Sequence, residues 1–185
     1  MSSKTKDAIV SAFLTLVESE DFDRITVTDL VEMCDISRQT FYYHFDDIDQ
    51  MLCYAFDKET VQIHTAHESD TWTSYAEDYV AFFNKFDVLM RKSLKSISFV
   101  LIYKLITKSF ADCLFAYFNY KKGEQFATAK STEYLITLLS GVFSSLIVSE
   151  IQKEESDYAD VFGKLTAALT DFTLKKNHLN AYALR

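Results

Sequence analysis

No proline occurs anywhere in this 185-residue chain, and only three glycines do. Turn-dense β architectures, collagen-like repeats and proline-rich linkers all depend on those two residues, which make tight reversals and stiff extended segments at low cost. What remains is a mostly helical protein. Hydrophobic side chains make up 49% of it and the formal net charge is −8, a balance too apolar for a disordered chain. The length suits one large domain or two small ones, burying roughly 70% of the unfolded surface.

Cys34, Cys53 and Cys113 stand far apart, forming neither a disulfide framework nor a Cys-x-x-Cys knuckle. Reduced, buried thiols in a cytoplasmic protein are expected. The stretch from Met1 to Asp7 lacks the apolar core of a secretory signal. The longest uncharged run, Tyr134 to Ser149, is interrupted by Ser140, Gly141, Ser144 and Ser145. It falls short of the ~20 apolar residues of a membrane span, so no membrane partner is expected.

Apolar spacing is helical throughout. Ile9, Phe13, Leu16 and Val17 lie on one face of a first helix, and Glu20 to Asp23 break the pattern. Thr26 with Asp29 reads as a capping box opening a short helix that buries Val27, Leu30, Val31 and Cys34. A tight turn at Asp35-Ile36 follows, and Ser37 caps a third helix with Phe41 and Phe45 inward. Asp47 with Gln50 reads as another capping box, opening a long helix with Ile48, Met51, Leu52, Ala55, Phe56 and Ile63 on its buried side. Beyond a polar stretch near residues 68–70, helices are expected from about Trp72 to Lys85, Phe86 to Leu94, Ser96 to Tyr120, Phe126 to Lys153 and Tyr158 to Lys176. The fold class is therefore all-α.

Two short helices joined by a tight turn, after a longer supporting helix, make the helix-turn-helix plan. The second one, from Ser37 to Phe45, carries Arg38, Gln39 and Thr40 in its first turn. Arginine pairs bidentately with guanine, glutamine with adenine, and a threonine methyl packs on that of thymine. Tyr42, Tyr43 and His44 follow, with donors that reach phosphates.

Residues 5–56, and above all the run from Cys34 to Phe45 ending Thr-Phe-Tyr-Tyr-His-Phe, resemble the N-terminal domain of the TetR family of transcriptional regulators. More weakly, the pattern is similar to regulators of dihydroxyacetone kinase operons. The resemblance implies a DNA-binding domain over residues 1–47 and a ligand-binding and dimerisation domain over 48–185. It places Arg38, Gln39, Thr40 and Tyr42 at base-reading or base-proximal positions, and Thr26, Thr28, Tyr43 and His44 at phosphate positions. With the cap Ser37, these form the expected DNA-binding set. The implied partners are a double-stranded operator, a second copy of the chain and a small-molecule effector, with repression as the mode of action.

Two features depart from that family. A phosphate-binding lysine usually stands where this chain has Ile48, flanked here by Asp46, Asp47 and Asp49. Residues 1–50 also hold four cations against eleven anions, unusual for a surface that neutralises phosphates. A helix-turn-helix adaptor working through protein partners is the alternative these features favour.

The remainder offers weaker signals. His64, His67 and Glu68 have a metal-ligand spacing but no third ligand in view, so a solvated helix end is expected and no metal. No nucleophile elbow, phosphate loop or His-Glu-x-x-His occurs, so neither enzymatic activity nor a cofactor is expected. Aromatic stripes at helical spacing are usually core. In a TetR-like body, Trp72, Tyr75, Tyr79, Phe83, Tyr103, Ile106 and Phe110 would line an apolar effector cavity. The stretch from Tyr134 to Ile151 is apolar around too much of its circumference for one-sided cover. A dimer interface is expected from Leu138, Gly141, Val142, Ser145 and Leu146, with Leu165, Ala168, Leu169 and Phe172 on the last helix.

Overall fold

The structure, a computed structural model, describes residues 2–66, 72–122 and 130–168. Helix α1 (Ser2–Ser19) is followed by a 3-10 turn (Phe22–Arg24), α2 (Val27–Met33) and α3 (Arg38–His44). The long helices α4 (Ile48–Ala66), α5 (Trp72–Ser93), α6 (Phe99–Lys122) and α7 (Lys130–Ile151) come next. A helical segment at 158–168, α8, ends the described chain. Among the described residues there is no strand.

The helix starts are local chemistry. Thr26 and Asp29 form the expected capping box, with the Thr26 amide donating to Asp29 at 2.7 Å. Ser37 caps α3 by accepting from the Thr40 amide at 3.0 Å. At α4 the Gln50 amide donates to Asp47 at 2.7 Å, but the Gln50 side chain accepts from the Asp46 amide rather than from that of Asp47. Between α2 and α3 the chain reverses through Asp35, whose φ of 51° is left-handed. Ile36 N–H reaches Val31 C=O at 3.0 Å and Asp35 N–H reaches Glu32 C=O at 3.3 Å, the paired bonds of a Schellman close. That close fixes the angle at which α3 leaves α2. Aspartate is among the few residues with a Cβ that visit this conformation, because a short polar side chain can hydrogen-bond locally to the backbone.

One helix replaces the two expected between Trp72 and Leu94. No glycine or proline stands near Lys85-Phe86, and the buried face of Phe82, Phe83, Phe86, Leu89 and Met90 runs unbroken through the supposed gap. The next helix starts at Phe99, later than expected, because Ser96 accepts from the Ser98 amide and holds a turn there. Cys113 is buried as expected, whereas Cys34 and Cys53 are half-buried; all three are free thiols. The reading of Tyr134–Ser149 as too short for a span also needs correction. Thr132–Ile151 is long and apolar enough to cross a bilayer by length and composition. One face of it, however, holds Ile136, Phe143 and Ile147 in the protein core.

The last turn of α5 ties the structure together. Arg91 donates to Asp87 at 2.7 Å and to the C=O of Ile151 at 3.1 Å, and also to the C=O of Lys153 and the hydroxyl of Ser156. The hydroxyls of Ser156 and Tyr158 donate to Asp87 at 2.7 and 2.6 Å. Its neighbour Lys92 donates to the C=O groups of Glu18 and Glu20 at 3.1 and 2.9 Å, at the C-terminal end of α1. Two consecutive side chains thus satisfy the orphan carbonyls at the ends of α1 and α7.

This joint titrates. Burial alone would raise the pKa of Asp87, but hydrogen bonds from Tyr158, Ser156 and Arg91 outweigh it and hold the carboxyl below its usual range. A lowered folded-state pKa contributes stability that is complete above the ordinary carboxyl value of about 4 and is lost as pH falls through the lower one. Thermal melts from pH 5 down to pH 3 should therefore fall less steeply for Asp87→Asn than for the wild type. Parallel curves would show that this carboxylate contributes nothing to acid sensitivity.

Candidate nucleic-acid interface

Phe41 and Phe45 turn into the core and fix the orientation of α3, and the α4 residue Tyr54 packs on Phe45 with its ring tilted, centroids 5.5 Å apart. The opposite face of α3 is open. Tyr43 is 81% exposed and Tyr42 55% exposed, while Arg38 and Gln39 are also exposed. Tyr42 packs edge to face on Phe41 at 5.5 Å, which leaves its outer part in solvent. Tyr43 and His44 meet edge to face at 5.0 Å, which orients both rings.

The structure brings the sequence-derived residues onto neighbouring elements. Arg38 donates through its guanidinium to the Thr28 hydroxyl at 2.5 Å, linking the first turn of α3 to α2. Thr40 is half-buried, its hydroxyl 2.9 Å from that of Ser37, and Thr26 is committed to its capping box. The N-terminal cations are partly engaged elsewhere. Lys6 lies over the rings of Phe45 and Tyr54, at 5.2 and 4.8 Å from their centroids.

Beside this face lies a feature that was visible only as scattered charges. Val27, Tyr42, Asp46, Asp47, Ile48 and Asp49 line an open hollow of about 350 Å³ at the start of α4. Ile48 is half-buried and packs against the core. The start of α4 therefore presents an apolar side chain and three carboxylates beside Tyr42.

In the body, Tyr75, Tyr79, Phe83, Ile106 and Phe110 converge from α5 and α6 and are buried; Tyr103 is half-buried against Phe99. Phe110 stacks on Phe143 at 3.6 Å, so side chains fill that part of the centre. Tyr79 donates to the Ser109 C=O at 2.8 Å and lies 3.2 Å from Nε2 of His64. Burial pushes the Tyr79 hydroxyl pKa up and that of His64 down. Trp72 opens α5, but its side chain lies outside the described residues, as does His67. No group able to hold a metal occurs among the described residues.

On α7, Tyr134, Leu138, Val142 and Leu146 recur every fourth residue as one exposed apolar stripe. Ser145 is exposed beside it, and Gly141 faces open space. On α8, Leu165 is half-buried and Ala168 exposed; Leu169 and Phe172 lie outside the described residues.

The architecture matches solved structures almost end to end. The dihydroxyacetone kinase operon activator DhaS superposes with a TM-score of 0.69, covering 90% of this chain and 96% of that one, at 16% identity. This is a TetR-type fold. The TetR family repressor AlkX from Dietzia sp. strain DQ12-45-1b, implicated in biodegradation of n-alkanes, matches with a TM-score of 0.56 over 92% of this chain and 96% of its own, at 17% identity. In sequence, the chain is 30% identical over 59 residues to the HTH-type dhaKLM operon transcriptional activator DhaS of Lactococcus lactis subsp. lactis (strain IL1403). That match spans 32% of this chain and 32% of the relative, so sequence similarity reaches about a third of that protein's length. No family model matches the chain. Within the TetR-type fold, α2 and α3 form the helix-turn-helix.

Proposed function

We propose that this protein is a cytoplasmic, DNA-binding transcriptional regulator and not an enzyme, reading a two-fold symmetric operator as a homodimer. The observation that carries this reading is the exposed face of α3, where Arg38, Gln39, Tyr42 and Tyr43 are held outward by a capped, core-anchored helix. Ser37 and Thr40 set its first turn, Thr28 and His44 flank it as phosphate partners, and Thr26 is held in its cap by Asp29. Residues 1–47 act as the head, and residues 48–185 dimerise and bind a small apolar or aromatic effector. Repression by occupying promoter DNA is the mode the family resemblance supports. DhaS is named an activator and AlkX a repressor, so a reporter measured with and without the protein gives the sign for this chain. The direct test is a mobility shift with the duplex upstream of the protein's own gene. Retention by that duplex and not by a scrambled one is expected; equal retention of both would contradict sequence reading.

The acidic hollow favours a second reading, a helix-turn-helix adaptor that depends on a partner protein for firm DNA binding. Ile48→Lys separates the two. With α3 docked as proposed, the new ammonium meets a phosphate and steepens the salt dependence of binding by about one counterion. Removing a half-buried isoleucine costs some stability, so melts accompany the titrations. A folded variant with an unchanged salt slope would place the start of α4 away from DNA.

A further inference from the structure

The joint at the end of α5 borders an open cleft of about 520 Å³ lined by Asp21, Asp23, Arg24, Arg91, Lys92, Lys95 and Ser96. It lies between the turn after α1 and the turn after α5, on residues that the DNA-reading face does not use. Its two inner cations are committed: Arg91 to the end of α7 and Lys92 to the end of α1. Its two outer cations are not held firmly. Lys95 is exposed, and Arg24 meets Asp21 at 3.4 Å with both side chains about three-quarters exposed, a screened pair worth little. The wall is braced where Ser96 donates to Asp23.

We infer that this cleft binds a small hydroxyl-bearing anion, its phosphate or carboxylate held by Arg24 and Lys95 and its hydroxyls donating to Asp21 and Asp23. Charge-assisted bonds to an anion that both cations reach replace a weak, solvated ion pair, so the exchange favours binding. The two carboxylates disfavour a ligand of high negative charge and favour one with donors. Because Lys92 lies in the same wall and holds the end of α1, a bound anion also competes for the contact that anchors the head to the body.

The test is a titration of the ¹⁵N-labelled full-length protein with inorganic phosphate, then with glycerol 3-phosphate, at constant ionic strength. Saturable shifts at Arg24, Lys95 and Ser96 are expected, with glycerol 3-phosphate the tighter ligand. Arg24→Ala/Lys95→Ala should weaken binding about tenfold or more, and should leave the melting temperature unchanged because both side chains are exposed. Absence of saturable shifts, or equal affinity in the double variant, overturns the site. A DNA backbone could supply the same phosphate chemistry, so non-specific duplex is titrated at several salt concentrations with both proteins. An unchanged salt slope supports a free anion. A slope reduced by about 0.9 per lost contact assigns the cations to DNA and overturns the small-molecule site.

Discussion

Val142→Glu is expected to convert a dimer into a folded monomer and, with the recognition helix untouched, to abolish operator binding. Val142 sits mid-way along the exposed α7 stripe of Tyr134, Leu138, Val142 and Leu146. An isologous contact places the same residue on both sides of the axis, so the substitution buries two carboxylates close together in apolar surroundings. Each unpaired buried charge costs several kcal/mol, which raises the dimer dissociation constant by about a thousandfold or more. The stripe is too small to hold a dimer alone, because stable interfaces bury upwards of about 1,200 Å². Leu165 and Ala168, with the continuation through Leu169 and Phe172, are the proposed remainder. Gly141 and Ser145 let two such helices approach closely, and a Cβ at Gly141 would meet nothing within 4 Å in the isolated chain. Light scattering checks the result, with Val142→Ala as the control that stays dimeric. A Val142→Glu protein that remains a dimer would move the interface elsewhere.

Arg38→Ala should weaken specific binding by about 1–3 kcal/mol and relax preference at one base pair. The guanidinium is the only forked donor in the first turn of α3, and the Thr28 hydroxyl already restrains it. Restraint lowers the entropy lost when the fork meets a guanine edge. Thr28→Ala should therefore weaken binding to a smaller extent and leave base preference in place. Titration of a panel of single-substituted duplexes measures both. Unchanged preference in Arg38→Ala would remove this side chain from the reading surface.

Much of this was legible in the chain because it is local. Thr26 with Asp29 and Ser37 with Thr40 lie three residues apart, so their caps follow from composition alone. The inward placement of Phe41 and Phe45 follows from helical period. Contacts between distant segments were not legible. Arg91 four residues after Asp87 reads as an ordinary surface pair, yet the same guanidinium reaches carbonyls some 60 positions away. Lys92 touching the end of α1 is equally non-local, and so is the cleft that both residues border. The split of α5 was misplaced for a related reason. The Lys85 ammonium pairs with Glu59 of α4 at 2.5 Å, a contact 26 residues distant in the chain, while the helix runs on beneath it.

The acidic head bears most directly on whether the protein reads DNA by itself. Asp7 accepts from Lys58 of α4 at 2.6 Å and Asp29 serves its cap, so part of the head's negative charge is already paired within the protein. Asp46 and Asp47 accept from Gln50 at the start of α4, and with Asp49 they line the hollow beside Tyr42. The most direct measurement is selection of duplexes from a random pool by the purified, full-length protein at moderate salt, without any partner. Two α3 helices on one dimer require half-sites related by a two-fold axis and separated by about 34–36 Å or a multiple. Enrichment of such a palindrome, lost in Arg38→Ala, is the result expected. A pool that stays random, with the protein folded and dimeric, would contradict direct operator reading and leave the adaptor role in its place.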